Sequence, residues 1–68
     1  MRQNPTQAVR SYRVYLRDGS DMIARVREID AGSDEEARQL AARMLYEQTI
    51  YPIAEVWDRA RLVWTARK

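Results

Sequence analysis

Residues 33–48 read SDEEARQLAARMLYEQ, and this stretch carries the clearest local structural signal in the chain. Ser33 and Glu36 form a capping box, in which the serine hydroxyl accepts from the Glu36 amide and the glutamate side chain reaches back. Asp34 and Glu35 add negative charge where the helix dipole favours it. Apolar residues then recur at helical spacing, at Ala37, Leu40, Ala41, Met44 and Leu45. The stretch predicts one amphipathic helix that starts after Ser33 and runs to about residue 48.

Two β-rich runs precede this helix and predict a hairpin. Residues 11–17, SYRVYLR, alternate strictly, as a half-buried strand does, and one face is formed by Tyr12, Val14 and Leu16. Residues 22–30, MIARVREID, form the second run. The DGSD segment between the two runs is turn-forming sequence, and we expect Gly19 to take the positive φ that a tight turn demands.

The second run alternates imperfectly, which leaves its register open. Met22, Ala24 and Val26 share one face, whereas Ile23 and Ile29 fall on the other. A β-bulge near residues 27–28 returns Ile29 to the face that builds the core.

Two further β-rich runs follow residues 51–52, where Tyr-Pro ends the helix. They are IAEVW, residues 53–57, and RLVWTAR, residues 61–67, and they predict a second hairpin with residues 58–60 as its loop. With a three-residue loop, one face holds Ala54, Val56, Leu62 and Trp64, and the other holds Glu55, Trp57, Arg61, Val63 and Thr65.

The predicted order of elements is therefore ββαββ. The helix must bury its apolar stripe, and a four-stranded, mainly antiparallel sheet supplies an apolar face, which predicts a two-layer α+β sandwich. The strand order is either 2-1-3-4, antiparallel throughout, or 1-2-3-4 with the helix as a right-handed crossover. We expect the core to comprise Val14, Leu16, Leu40, Met44, Val56 and Leu62.

Length and composition indicate one small globular domain. The chain has 68 residues, of which 46% are hydrophobic and 32% charged, a balance typical of a globular protein. Residues 1–10 have no apolar period and contain Asn4-Pro5, so we interpret them as a flexible N-terminal arm. The domain is then expected to occupy residues 11–68.

The residue inventory argues against catalysis and against metal or cofactor binding. The chain contains neither cysteine nor histidine, its only lysine is Lys68, and two glycines make no phosphate loop. No serine or threonine has a histidine to activate it, and no Ser-x-x-Lys arrangement exists. We therefore predict no catalytic residue, no metal and no cofactor. The polar N-terminus and the lack of a long apolar segment favour a cytoplasmic protein without membrane contact.

The strand YRVYL, the helix start SDEEARQLA and the closing AEVWDRARLV together resemble a family of short bacterial ββαββ proteins of unassigned function. The resemblance spans roughly residues 12–66 and implies a fold rather than an activity. The chain also resembles HicB-like antitoxins, in which a hairpin leads into a helix opened by an EEA segment, as residues 35–37 do here. The Pro-Gly element that usually precedes that helix is missing.

We expect the protein to bind through an edge strand of the sheet or through the sheet face opposite the helix. The candidate residues of that face are Arg13, Tyr15, Arg17, Trp57, Arg61 and Val63. Tyrosine, tryptophan and arginine are enriched as anchors in protein interfaces, so a homodimer or a complex with another protein is the first hypothesis. Arginines between aromatic rings also suit single-stranded nucleic acid, so a nucleic-acid-binding or antitoxin-like regulator is the alternative.

Overall fold

The computed structural model describes residues 9–68 and contains four strands and one helix. The elements are β1 Arg10–Arg17, β2 Ile23–Ala31, α1 Asp34–Tyr46, β3 Ile53–Asp58 and β4 Arg61–Arg67. All strand pairs are antiparallel, and the order in the sheet is β2-β1-β3-β4. The ββαββ sandwich predicted from sequence is confirmed, with the first of the two strand orders.

The two faces of the sheet differ in what covers them. The face centred on Val14 and Val56 contacts α1 and is here called the covered face. The opposite face, centred on Tyr15 and Glu55, is called the open face. Most of the predicted N-terminal arm lies outside the described residues, although Arg10 is already the first residue of β1.

The core lies between α1 and the covered face. Its buried members are Tyr12, Val14, Leu16, Ala31, Ala37, Ala41, Leu45, Ala54 and Val56. The helix presents the line Ala37, Ala41 and Leu45 to the sheet, and small residues let the two layers approach closely. Leu40 and Met44, which we expected at the centre, are only partly buried beside this line.

The helix begins as predicted and ends earlier. Ser33 Oγ accepts from the Glu36 amide at 3.1 Å, and Glu36 Oε1 accepts from the Gly32 amide at 2.7 Å. The reciprocal bond thus reaches one residue further back than the usual capping box. The last helical residue is Tyr46 rather than residue 48, because the Gln48 side chain bonds to backbone groups of the following loop.

The first turn is organised by an aspartate rather than by its glycine. Asp18 Oδ1 accepts from the amides of Ser20 at 2.9 Å and Met22 at 3.1 Å. The positive φ of the turn, 67°, belongs to Asp21, and Gly19 has none. The expectation for Gly19 is therefore wrong, since an Asx turn supplies the reversal and aspartate tolerates the left-handed region.

The bulge in β2 lies next to the turn and not at residues 27–28. Leu16 pairs with Arg25 while Arg17 pairs with Ile23, so Ala24 is the extra residue. The placement of Met22, Ala24 and Val26 on the core face is wrong as a result, and all three are exposed.

Beyond the bulge, β2 points alternate side chains to each face. The register sets Arg25, Arg27, Ile29 and Ala31 on the covered face. It sets Val26, Glu28 and Asp30 on the open face. Ile29 therefore does lie on the core side, but the bulge is at Ala24, five residues before Ile29, and not at residues 27–28.

The second hairpin also departs from the predicted register near its turn. Asp58 pairs with Arg61, so the loop has two residues and not three. A shift next to Val56 then leaves Val63 unpaired and restores Trp64 to the covered face. Leu62, expected in the core, instead pairs with Trp57 on the open face and is 44% exposed.

Candidate interaction face

The open face consists of cross-strand rows that mix apolar and charged side chains. Paired residues in an antiparallel sheet point to the same side, so the registers define the rows. The rows are Glu28, Arg13, Trp57 and Leu62, then Val26, Tyr15, Glu55 and Thr65, then Ile23, Arg17, Ile53 and Arg67. Ser11 and Asp30 form a further pair at one end.

Glu55 is the centre of the polar contacts on this face. Its Oε1 accepts from Arg17 Nη2 and from Trp57 Nε1, both at 3.0 Å. Partial burial raises the pKa of the Glu55 carboxyl, but the hydrogen bonds from Arg17 and Trp57 outweigh that effect and hold it below its ordinary value. Glu55 is therefore ionised and fixes the positions of the arginine and the indole ring.

Four of the six predicted face residues lie together on the open face. Arg13 is exposed, while Tyr15, Arg17 and Trp57 are half-buried. Arg13 pairs with Trp57 in the β1–β3 register. Arg17 also donates from Nη1 to the Asp21 carbonyl at 3.1 Å, so both its terminal nitrogens are engaged.

The other two predicted residues, Arg61 and Val63, are not part of this face. Arg61 donates to the two Asp34 carboxylate oxygens at 2.9 and 3.0 Å and to Asp58 at 2.8 Å. The two-residue turn sets it on the covered side, next to the helix start. Val63 is the unpaired residue of the β4 bulge and packs against the core.

Sequence reasoning missed three exposed apolar residues on the open face, Ile23, Val26 and Leu62. Val26 and Leu62 were displaced by a bulge or a turn that the sequence does not mark, whereas Ile23 lies on the face to which its alternation assigned it. Arg59 takes φ 57° in the second turn, a conformation usually signalled by glycine, asparagine or aspartate. No signal in the sequence distinguishes this two-residue loop from a three-residue one.

Asp34 anchors a second polar cluster, at the junction of α1 with β1 and β4. It accepts from the buried Tyr12 hydroxyl at 2.8 Å as well as from Arg61, and Arg10 lies 3.5 Å away. The hydrogen bonds from Arg61 and then Tyr12 lower the pKa of Asp34 to about 2. Burial, followed by the bond to Asp34, raises the pKa of Tyr12. The cluster joins the start of α1 to β1 and β4.

Of the shallow depressions beside the sheet, two are lined by residues of β2. One, of about 420 Å³, opens beside Arg13 and is lined by Ser11, Tyr12, Arg13, Tyr15, Glu28 and Arg59. The other, of about 330 Å³, lies between β2 and the end of α1 and is lined by Leu16, Arg25, Arg27, Met44, Glu47, Gln48, Ile50 and Tyr51. Both are open to solvent.

Residues 9–68 contain no group of three or more histidine, cysteine, aspartate or glutamate side chains placed to hold a metal ion. Within the same residues, α1 is too short and too polar to cross a membrane, and it is the one helix described.

No family model, curated protein or solved structure matches the chain. The resemblance to short bacterial ββαββ proteins and to HicB-like antitoxins thus rests on the sequence pattern alone.

Proposed function

We propose that this protein is a non-enzymatic binding module that associates with protein through its open face, and that its first partner is a second copy of the chain. The observation that carries the proposal is the composition of the open face, where exposed apolar residues alternate with charges of both signs. We place the module in the cytoplasm, in keeping with its sequence.

The charge balance of the open face favours protein over nucleic acid. Its arginines are Arg13, Arg17 and Arg67, and its acids are Glu28, Asp30 and Glu55. A nucleic-acid surface needs a basic excess to neutralise phosphates. Here Arg17 is already held by Glu55, and Arg13 faces Glu28 across the β1–β2 pair.

Trp57 is the aromatic residue of the open face that a partner can bury. The Trp57 indole N–H donates to Glu55 within the same face, so a partner can cover the ring without leaving that donor unsatisfied. The neighbouring Leu62 is 44% exposed, and Val26, across the sheet, is 51% exposed. Covering such a set removes apolar surface from water at little polar cost.

A second copy fits because the face carries both charges in equal number. In a two-fold interface each patch meets itself, so a face of one sign repels its own copy. A face with three arginines and three acids avoids that repulsion. A domain within a chain of only 68 residues also gains more than a large one from the added buried surface.

The test compares the loss of an aromatic ring on the open face, that of Trp57, with the loss of one on α1, that of Tyr46. Analytical ultracentrifugation of the wild type should give a mass above 8.0 kDa that rises with concentration. Trp57→Ala should weaken the association by about tenfold or more, since aromatic anchors dominate interfaces. Tyr46→Ala is the matched control, because Tyr46 is 61% exposed on α1, on the far side of the molecule from the open face.

Thermal melting of each monomer accompanies the mass measurement. Trp57→Ala should remain folded, and its mass should fall to that of the monomer. Equal behaviour of Trp57→Ala and Tyr46→Ala, or a wild type that stays at 8.0 kDa at millimolar concentration, contradicts the proposal.

A nucleic-acid-binding or antitoxin-like regulator is the second candidate, and Arg13 is the observation in its favour. Arg13 is exposed beside Trp57 and Tyr15. In proteins that bind single-stranded nucleic acid, aromatic rings stack on the bases and arginines neutralise the phosphates. Titration with a labelled oligo-dT strand at two salt concentrations separates the candidates. Salt-sensitive binding that Arg13→Ala removes supports the regulator and contradicts a dedicated protein interface.

A further inference from the structure

Strand β2 forms one edge of the sheet. Among residues 9–68 it pairs with β1 alone, and it runs for nine residues, Ile23–Ala31. An edge strand presents a row of unpaired N–H and C=O groups to which a further strand can add. All of residues 23–28 are exposed, so the stretch with the Arg-Val-Arg sequence is accessible.

Two arginines lie on the covered side of this edge. Arg25 pairs with Leu16 and Arg27 with Val14, both core residues, so the two guanidinium groups stand on the same side two residues apart. The ion pairs within residues 9–68 involve other arginines. Glu47 lines the same depression, but it does not come within ion-pair distance of either.

Apolar residues lie beside the two arginines at this edge. The depression below the two arginines includes Leu16, Met44, Ile50 and Tyr51. On the other side of the same strand, Val26 is 51% exposed between the arginines in sequence. The edge therefore displays positive charge on one side and an apolar residue on the other.

A second copy of β2 does not fit this edge. Antiparallel self-pairing centred on Val26 sets Arg25 opposite Arg27 of the other copy, because only residues on the same side can face each other. Pairing centred on Arg25, Arg27 or Glu28 sets that charge opposite itself. Like charges directly opposite destabilise a strand pair, so these registers disfavour β2 of a second copy as the partner of this edge.

We propose that β2 binds an extended segment of another protein in which two carboxylates flank an apolar residue, added as a further strand of the sheet. Residues i and i+2 of any strand lie roughly 6.6–6.8 Å apart on one side, so the two carboxylates meet Arg25 and Arg27 together. The apolar residue between them then meets Val26 on the opposite side. Backbone hydrogen bonds supply affinity, and the arginines supply selectivity.

This surface shares Val26 with the open face that carries the proposed self-association, and its other residues differ. Its arginines lie on the covered side, and the variants that test it leave Trp57 unchanged. The two proposals therefore succeed or fail independently.

The experiment follows the backbone amide resonances of isotope-labelled full-length protein during titration with synthetic peptides. The probe has the centre Thr-Glu-Val-Glu-Thr, and the opposite-charge peptide has Thr-Lys-Val-Lys-Thr. The largest shifts should occur in β2, and the glutamate peptide should bind about tenfold more tightly than the lysine peptide. A glutamate peptide N-methylated at its three central amides should bind about tenfold more weakly, because it cannot add as a strand.

A second experiment reverses the charges of the two arginines in β2. The double variant Arg25→Glu, Arg27→Glu should reverse the preference and bind the lysine peptide, which also shows that the variant is folded. The control is Arg43→Glu, Arg59→Glu, which changes the net charge equally at exposed arginines outside β2 and outside the rows of the open face. It should keep the wild-type preference.

Three results overturn the proposal. They are an absence of shifts in β2 at millimolar peptide, a preference unchanged by charge reversal, and equal binding of the N-methylated peptide. Titration with a short oligo-dT strand tests whether Arg25 and Arg27 bind phosphates rather than carboxylates. Tighter binding of that strand at the same amides assigns the two arginines to phosphates and rejects the peptide.

Discussion

The covered and open faces of this sheet belong to the same four strands but differ in the residues that they carry. The covered face is filled by small and medium apolar residues, such as Val14, Ala54 and Val56, all with no exposed surface. The open face holds charged rows around Glu55 and leaves Val26 and Leu62 in solvent. The difference teaches that the central strands fix the core, whereas the edge strands decide which apolar residues remain exposed on the open face.

The physical cause is the position of the irregularities. β1 and β3 pair with each other without a shift, so their alternation survives along the paired length. β2 and β4 each carry a bulge close to their turn, at Ala24 and Val63. An extra residue transfers the following side chains to the other face, because the strand period is two.

The largest effect expected from this comparison comes from two leucines, one on each side of the sheet. Leu45→Ala should lower the free energy of unfolding by about 2–5 kcal/mol, because Leu45 is fully buried and leaves a cavity. Leu62→Ala removes the same atoms from a half-exposed site on the open face and should cost about 0.5 kcal/mol. Urea titrations measure both, and similar losses for the two variants contradict the assignment of faces.

A smaller effect concerns the start of the helix that makes one face covered. Ser33→Ala should cost about 1 kcal/mol, because the Glu36 amide loses its acceptor. Ser20→Ala is the control, since Ser20 enters the first turn through its backbone N–H, and it should change stability by less than about 0.5 kcal/mol. Thermal denaturation distinguishes the two, and a neutral Ser33→Ala places the helix start elsewhere.

The smallest effect is the acid dependence of the Asp34 cluster, which closes one end of the covered face. Because Asp34 has its pKa lowered from 3.8 to about 2 in the folded state, its stabilising contribution is complete above the unfolded value. It is lost as the pH falls through about 2. The difference in melting temperature between wild type and Asp34→Asn should therefore shrink as the pH falls through this range.

Tyr12→Phe separates the two donors of that cluster. It removes the hydroxyl bond to Asp34 and leaves the two bonds from Arg61, so part of the acid dependence should remain. A melting difference between wild type and Asp34→Asn that is constant with pH shows that the carboxylate gains nothing from its partners in the fold.

Much of the candidate face was accessible to sequence reasoning, and the reason is again alternation. Arg13, Tyr15 and Arg17 alternate with Tyr12, Val14 and Leu16 in β1, and Trp57 is out of phase with Val56 in β3. Arg61 and Val63 were assigned to the wrong face because both lie between the second turn and the end of the bulge in β4. The side chains of β4 alternate as predicted only after that bulge.

The sequence by itself determined the order ββαββ, the helix start at Ser33 and the core residues of β1 and β3, since capping and periodicity are local properties. Only the tertiary structure decided the strand order, the two bulges and the contacts of Arg61 with Asp34. These depend on which segments meet across the sheet, and the energies of alternative registers differ through packing between residues far apart in the chain. Arg25 and Arg27 came to one edge of the covered side for that reason, and no pattern within β2 alone places them there.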